Sequence, residues 1–165
     1  MPGEVVLALG SNLGDRAKTI RSAISEIGTL PGFSNLRSSR LYESAALTSA
    51  GISDTEPVYL NAVLTGDYAA TPKSLLVELQ EIELRHGRER SARWAARTLD
   101  IDIIKFGDLI MSDESLTLPH PEAANRPFVL VPWLEIQPDA TLPASPPLRP
   151  LSQGFLSQVR IHADA

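Results

Sequence analysis

Two spacings of apolar residues alternate along the chain, one of two residues and one of three to four, and they divide it into strands and helices. EVVLALG, residues 4–10, is a short apolar run ending in Gly10-Ser11-Asn12-Leu13-Gly14, the pattern of a buried strand that stops in a turn. From Asp15 the spacing lengthens: Ile20, Ile24 and Ile27 share one helical face, and Gly28 suits the stop. Residues 34–43 alternate loosely and predict a strand. Residues 44–56, small and polar without a period, predict a mobile loop. PVYLNAVLTGDY, residues 57–68, alternates cleanly, with Val58, Leu60, Ala62 and Leu64 on one face and Tyr59, Asn61 and Val63 on the other.

Residues 71–87 predict the clearest helix. Thr71 caps it, Pro72 fits its first turn, Leu75, Leu76, Leu79 and Ile82 form its apolar stripe, and Gly87 ends it. An arginine-rich loop leads into RTLDIDIIKFG, a strand. Residues 116–128 are rich in turn formers, 128–136 predict a short helix despite Pro132, and a proline-rich tail leads to a short helix over 151–160. The order β-α-β-β-α-β predicts an α+β, ferredoxin-like core in one domain over residues 1–165, with an antiparallel sheet and helices on one face. Neither GxGxxG nor a P-loop occurs, which argues against a Rossmann-type nucleotide fold.

Composition narrows the class. A hydrophobic content of 43% over 165 residues is that of a globular protein with a real core, and a net charge of -5 argues against nucleic acid or a membrane surface as partner. There is no cysteine, hence no disulfide or thiolate metal site. The first residues lack the basic region of a signal peptide, so the cytoplasm is the expected compartment.

Charge is unevenly placed. Asp100 and Asp102 are two apart in a β-branched run, so they share a strand face while Leu99, Ile101 and Ile103 take the other. Two adjacent carboxylates repel, and either a hard divalent cation or salt bridges to nearby arginines resolves the conflict. Arg85, Arg88, Arg90, Arg93 and Arg97 crowd the preceding segment. Guanidinium groups grip phosphate oxygens in a two-pronged fork, or pair with Glu81, Glu83 and Glu89 on a solvated loop. A phosphate chain carrying a metal satisfies aspartates and arginines together. Tyr59 and Asn61 offer a ring and an amide to a flat heterocycle. His120, between two prolines, Arg126 and Phe128 add a donor, a charge and a second ring.

These residues resemble the 6-hydroxymethyl-7,8-dihydropterin pyrophosphokinase family of folate biosynthesis. The matching pieces are ALGSNLGD (8–15), YLNAV (59–63), LQEIELRHGRER (79–90), RWAARTLDIDII (93–104), LPHP (118–121) and NRPFVLVPWLEIQPD (125–139), in family order across about residues 5–140. The resemblance implies transfer of pyrophosphate from MgATP to the pterin hydroxymethyl group, with release of AMP. It implies two Mg²⁺ ions at Asp100 and Asp102, with Arg88 and Arg97 catalytic beside them. Gln80, Glu83, Arg88, Arg90, Arg93, Arg97, Thr117, His120 and Arg126 fall at ATP positions. Ser44, Leu47, Tyr59, Asn61 and Phe128 fall at pterin positions, and the partners are small molecules bound by a monomer. Two departures stand out. Ser44-Ala45-Ala46-Leu47 lacks the family's proline, and Ala95-Ala96 replaces Gly-Pro before Arg97. The first leads to an expectation of weaker pterin binding with activity retained. Two other classes compete with the enzyme: an idle relative that only binds ligand, and an interaction module whose charges are surface salt bridges.

Overall fold

A computed structural model describes residues 3–12, 14–44, 59–87, 99–143, 145, 148, 159 and 161, together with the backbone of 46–48, 51–53 and 160. The first strand, β1 (Gly3–Ser11), is followed by α1 (Arg16–Gly28), β2 (Phe33–Ser38) and β3 (Tyr42–Ser44). A hairpin of β4 (Ala46–Thr48) and β5 (Gly51–Ser53) precedes β6 (Tyr59–Tyr68), α2 (Pro72–Arg85) and β7 (Asp100–Phe106). A small hairpin of β8 (Met111–Ser112) and β9 (Thr117–Leu118), then α3 (Pro127–Ile136) and β10 (Arg160–Ile161), complete the described elements.

The main sheet runs β10-β3-β6-β1-β7, with β2 also on β6, and each of its pairings is antiparallel. Counting β2 and β3 as one broken strand, this is the ferredoxin-like order expected from the sequence. The break has a local cause. Ser39 donates its N–H to Val63 O at 2.8 Å, and its hydroxyl oxygen accepts the Val63 N–H at 3.0 Å, so one residue engages both backbone groups of β6 while the chain steps from β2 to β3.

Both helices of the core form where their caps allow. The Asp15 carboxylate accepts the Lys18 N–H at 3.2 Å to open α1, and the Thr71 hydroxyl accepts the Ser74 N–H at 3.2 Å to open α2. Gly87 follows α2 at φ 83°, a conformation a side chain would strain. Ile20, Ala23 and Ile27 of α1 and Leu75, Leu79 and Ile82 of α2 pack on Val5, Leu7, Leu9, Leu60, Ala62, Leu64, Ile101 and Ile103.

The opposite face is covered too, which corrects the expectation of helices on one face alone. Val6, Val63 and Ile104 pack against Val129, Leu130 and Trp133 of α3, with Ala140, Leu142 and Leu148 closing the second core. A bulge in β7 fits the strand to both sides: Val6 pairs with Lys105 and Leu7 with Ile103, leaving Ile104 as the extra residue.

Three further expectations change. Residues 34–43 form two strands, and the segment 44–56 contains the β4–β5 hairpin instead of an ungrouped loop. The helix expected over 151–160 falls mostly outside the described residues, and its last residue, Arg160, belongs to β10, which pairs with β3. Among the described residues no helix is long and apolar enough to cross a membrane.

Close packing between β2 and β6 gives a direct test. A Cβ at Gly66 would lie 2.5 Å from Phe33 Cε1 and 3.0 Å from the Ser34 carbonyl oxygen. Gly66→Ala should therefore destabilise the fold by about 1–3 kcal/mol, read from urea denaturation. An unchanged midpoint would mean that Phe33 is free to move aside.

Candidate active site

The strands converge at one end of the sheet. There β1 and β3 finish while β6 and β7 begin, so Gly10 lies between Asn61 and Asp100, and Asn61 lies beside Tyr42. One residue-pair further into the sheet, Ala8 lies opposite both Asp102 and Val63. Adjacent strands are about 4.8 Å apart, which sets Asp100 and Asn61 about 10 Å from one another across a floor of small residues. Val6, Ala8, Val63 and Ile104 belong to the α3-side core, and by strand alternation Asp100, Asp102, Tyr59 and Asn61 face that side as well.

The acidic end of this floor is already lined by an arginine and a histidine. Arg126 Nη1 lies 3.4 Å from Asp102 Oδ2, and His120 Nε2 lies 3.9 Å from the same oxygen. His120 is positioned by its backbone, whose N–H donates to Ile104 O at 2.9 Å and so pins the Leu118-Pro119-His120-Pro121 turn to β7. Its Nδ1 accepts the Glu122 N–H at 3.1 Å, which leaves the ring proton on Nε2, the nitrogen nearer Asp102. Two carboxylates on one strand face, joined by ligand phosphate oxygens, are the donor set that magnesium uses. Among the described residues no three histidine or acidic side chains gather to hold a metal alone.

Burial depresses the His120 pKa below its ordinary 6.5, and the positive charge of Arg126 depresses it further. The consequence for stability has a definite sign. Between 6.5 and the lower folded value the unfolded chain binds the proton and the folded chain refuses it, so stability falls as pH falls through that window. Wild type should lose more of its urea midpoint than His120→Asn between pH 7.5 and 5.5. Parallel curves for the two proteins would contradict the assignment.

At the other end of the floor, Asn61 is 4% exposed and its Nδ2 donates to Ser44 Oγ at 2.7 Å. With the amide nitrogen so engaged, Oδ1 lies over Gly10, where a Cβ would come within 3.3 Å of it. Arg126 caps the start of α3, and its guanidinium carbon is 5.7 Å from the centre of the Phe128 ring. One side chain thus touches both the acidic and the aromatic parts of the site.

Seven of the expected residues therefore share one face or its rim: Asp100, Asp102, His120, Arg126, Phe128, Tyr59 and Asn61. Ser44 joins them through Asn61. Thr117 is half-buried on β9, three residues before His120. Gln80 and Glu83 sit on α2, whose apolar stripe covers the opposite face, and the Glu83 carboxylate accepts a backbone N–H from β7. Arg88, Arg90, Arg93 and Arg97 lie outside the described residues, as do Ala95 and Ala96; Leu47 is described only in its backbone, within β4. The sequence reading did not single out Ala8. Its signal was the pair of small residues, Ala8 and Gly10, alternating with Leu7 and Leu9 in β1.

Comparison with known proteins places the chain in one family. The family model described as 7,8-dihydro-6-hydroxymethylpterin-pyrophosphokinase matches residues 6–138. The chain is 40% identical over 149 residues to the 2-amino-4-hydroxy-6-hydroxymethyldihydropteridine pyrophosphokinase of Haemophilus influenzae, a match spanning 90% of this chain and 91% of the relative. Its counterpart in Pseudomonas aeruginosa is 39% identical over 139 residues, spanning 84% of this chain and 83% of the relative. The fold matches the crystal structure of wild-type Plasmodium falciparum HPPK-DHPS with a TM-score of 0.69 and 14% identity, covering 95% of this chain and 42% of that longer one.

Proposed function

Because the chain belongs to the 7,8-dihydro-6-hydroxymethylpterin-pyrophosphokinase family, we propose that the groups on the α3 side of its sheet divide the work of pyrophosphoryl transfer among them. The reaction itself moves a pyrophosphoryl group from ATP to hydroxymethyldihydropterin, a step of folate biosynthesis. The observation that carries the division of roles is the placing of Asp100 and Asp102, two strands from Asn61, on one continuous face.

In this reading Asp100 and Asp102 hold two magnesium ions. Magnesium bound there supplies positive charge to the transferring phosphates and lowers the pKa of the acceptor hydroxyl. The pterin lies over Gly10, with Asn61 Oδ1 accepting an N–H from the heterocycle edge and the rings of Tyr59 and Phe128 against its faces or rim. Ser44 holds the Asn61 amide in that orientation, and the backbone around Leu47 borders the same pocket.

His120 donates its Nε2 proton to a phosphate oxygen, and Arg126 turns from Asp102 toward the phosphate chain as the ligand arrives. Arg88 and Arg97 neutralise the transferring group, Arg90 and Arg93 add to the same field, and Gln80 and Thr117 contribute to the nucleotide side. The hydroxymethyl oxygen attacks the β-phosphorus of ATP, the bond from that phosphorus to the bridging oxygen of the α-phosphate breaks, and AMP leaves with that oxygen. The hydroxyl proton passes to solvent. No protein side chain is assigned as base.

The reading takes the chain as one catalytic domain, monomeric and cytoplasmic, with small molecules alone as its partners; sedimentation of the purified protein tests the first of these. Activity is tested by incubating it with MgATP and 6-hydroxymethyl-7,8-dihydropterin and separating AMP from ADP. AMP formed only with pterin and magnesium both present supports the roles above. ADP as product would contradict them. Binding of MgATP without turnover would favour a chain that holds its ligands but does not react.

A further inference from the structure

Strand β7 ends the sheet path and pairs on one side with β1. A strand in that position presents backbone N–H and C=O groups that no neighbouring strand satisfies. At Ile101, between Asp100 and Asp102, a side chain takes the place of the neighbour: Glu83 Oε2 accepts the Ile101 N–H at 2.8 Å. Glu83 is only 3% exposed, and a carboxylate so far from water persists where hydrogen bonds replace its hydration.

The arm that carries it is fixed. Leu79 and Ile82 anchor α2 in the first core. At the end of the same helix, Arg85 Nε and His86 Nε2 contact the two carboxylate oxygens of Glu26 on α1, at 3.1 and 2.6 Å. The Glu83 carboxylate thus joins a packed helix to Ile101, the residue flanked by both aspartates.

On the reading that Asp100 and Asp102 hold the metal, we propose that Glu83 is a positioning residue for that site. It fixes the Ile101 peptide, and through it the direction in which the two neighbouring carboxylates point, instead of touching the nucleotide. Magnesium demands near-octahedral geometry with oxygens at about 2.0–2.1 Å, so small rotations of the strand reach the metal as lost affinity. Outer partners of this kind typically change metal affinity about 10- to 100-fold when removed.

Two conservative variants separate reach from charge. Glu83→Gln keeps the acceptor oxygen and loses the charge; Glu83→Asp keeps the charge but is one methylene too short. A positioning role requires Glu83→Asp to raise the magnesium midpoint for AMP formation about tenfold or more, and Glu83→Gln to recover most of that loss. It also requires the Ile101 amide to be protected from hydrogen exchange in unliganded wild type and exposed in Glu83→Asp. A larger defect in Glu83→Gln, appearing in the KM for ATP with the magnesium midpoint unmoved, would overturn the proposal in favour of a direct nucleotide contact. An unprotected Ile101 amide in wild type would overturn it without any variant. Asp102→Asn tells this failure from that of the metal assignment: a magnesium midpoint moved by Asp102→Asn but not by Glu83→Asp refutes the positioning role alone, and one moved by neither refutes the assignment.

Discussion

Asp102→Asn is expected to lower the rate of AMP formation by about 10³-fold or more while leaving the protein folded. The substitution keeps the shape of the side chain and removes its charge. Asp102 is the carboxylate that Arg126 approaches at 3.4 Å and His120 at 3.9 Å, so its loss leaves the Arg126 guanidinium facing an uncharged amide. On the proposed assignment, that charge then repels a metal held by Asp100 alone. Stability should move little, because partly exposed ion pairs contribute only about 0–1 kcal/mol. Steady-state kinetics over a magnesium titration, with a thermal melt as control, makes the measurement. A variant retaining a tenth of wild-type turnover would remove Asp102 from the metal site.

The second large effect is structural. Trp133 is fully buried in the α3-side core, and its indole N–H donates to Gln137 Oε1 at 2.8 Å. Gln137 in turn donates to Glu4 Oε1 at 3.3 Å, which links the end of α3 to β1. Trp133→Ala should cost about 3–5 kcal/mol, the usual range for emptying a large aromatic site. For a chain of this size that is a fall in Tm of about 10 °C. Trp133→Phe should restore a good part of it. Because Arg126 and Phe128 stand at the start of the same helix, the pterin KM should rise in Trp133→Ala even well below its melting temperature. A normal KM in a destabilised variant would show that the first turn of α3 is held by other contacts.

Much of this arrangement was legible from residue spacing. The Asp100-Ile101-Asp102 alternation fixed the shared face, and Leu75, Leu79 and Ile82 fixed the buried side of α2. Glu83 stands four residues after Leu79, on the same stripe, but its residue type suggested a partner for the arginine-rich loop, and the family resemblance placed it at an ATP position. Only the packed helix shows that its carboxylate serves the backbone of β7. The β4–β5 hairpin was hidden because strands of three residues, Ala-Leu-Thr and Gly-Ile-Ser, hold one large apolar residue each, too few to establish an alternation. Residue 104 shows a different limit. Alternation after Ile103 puts Ile104 on the α3 side and would return Lys105 to the side of Ile103, yet the bulge at Ile104 pairs Lys105 with Val6 of the α3-side core, and a bulge depends on the register of the partner strand. The two-strand reading of 33–44 needed Ser39, whose hydroxyl stands in for a backbone group. The closeness of His120 and Arg126 to Asp102 joins residues 18 and 24 positions distant, which no local spacing encodes.

The sheet, covered by α1 and α2 on one side and by α3 on the other, separates the outer surface of α2 from the site face, with Glu83 as the exception that reaches β7. Substitutions on the α1–α2 side, including the exposed Val77 and Leu84 on the outer surface of α2, can raise stability without altering the floor of Ala8 and Gly10. The reserve gained there is available when substitutions on the α3 side reshape ligand contacts at a cost to folding. On the proposed assignment, that reserve lets contacts with the pterin change in small steps while the chain remains folded.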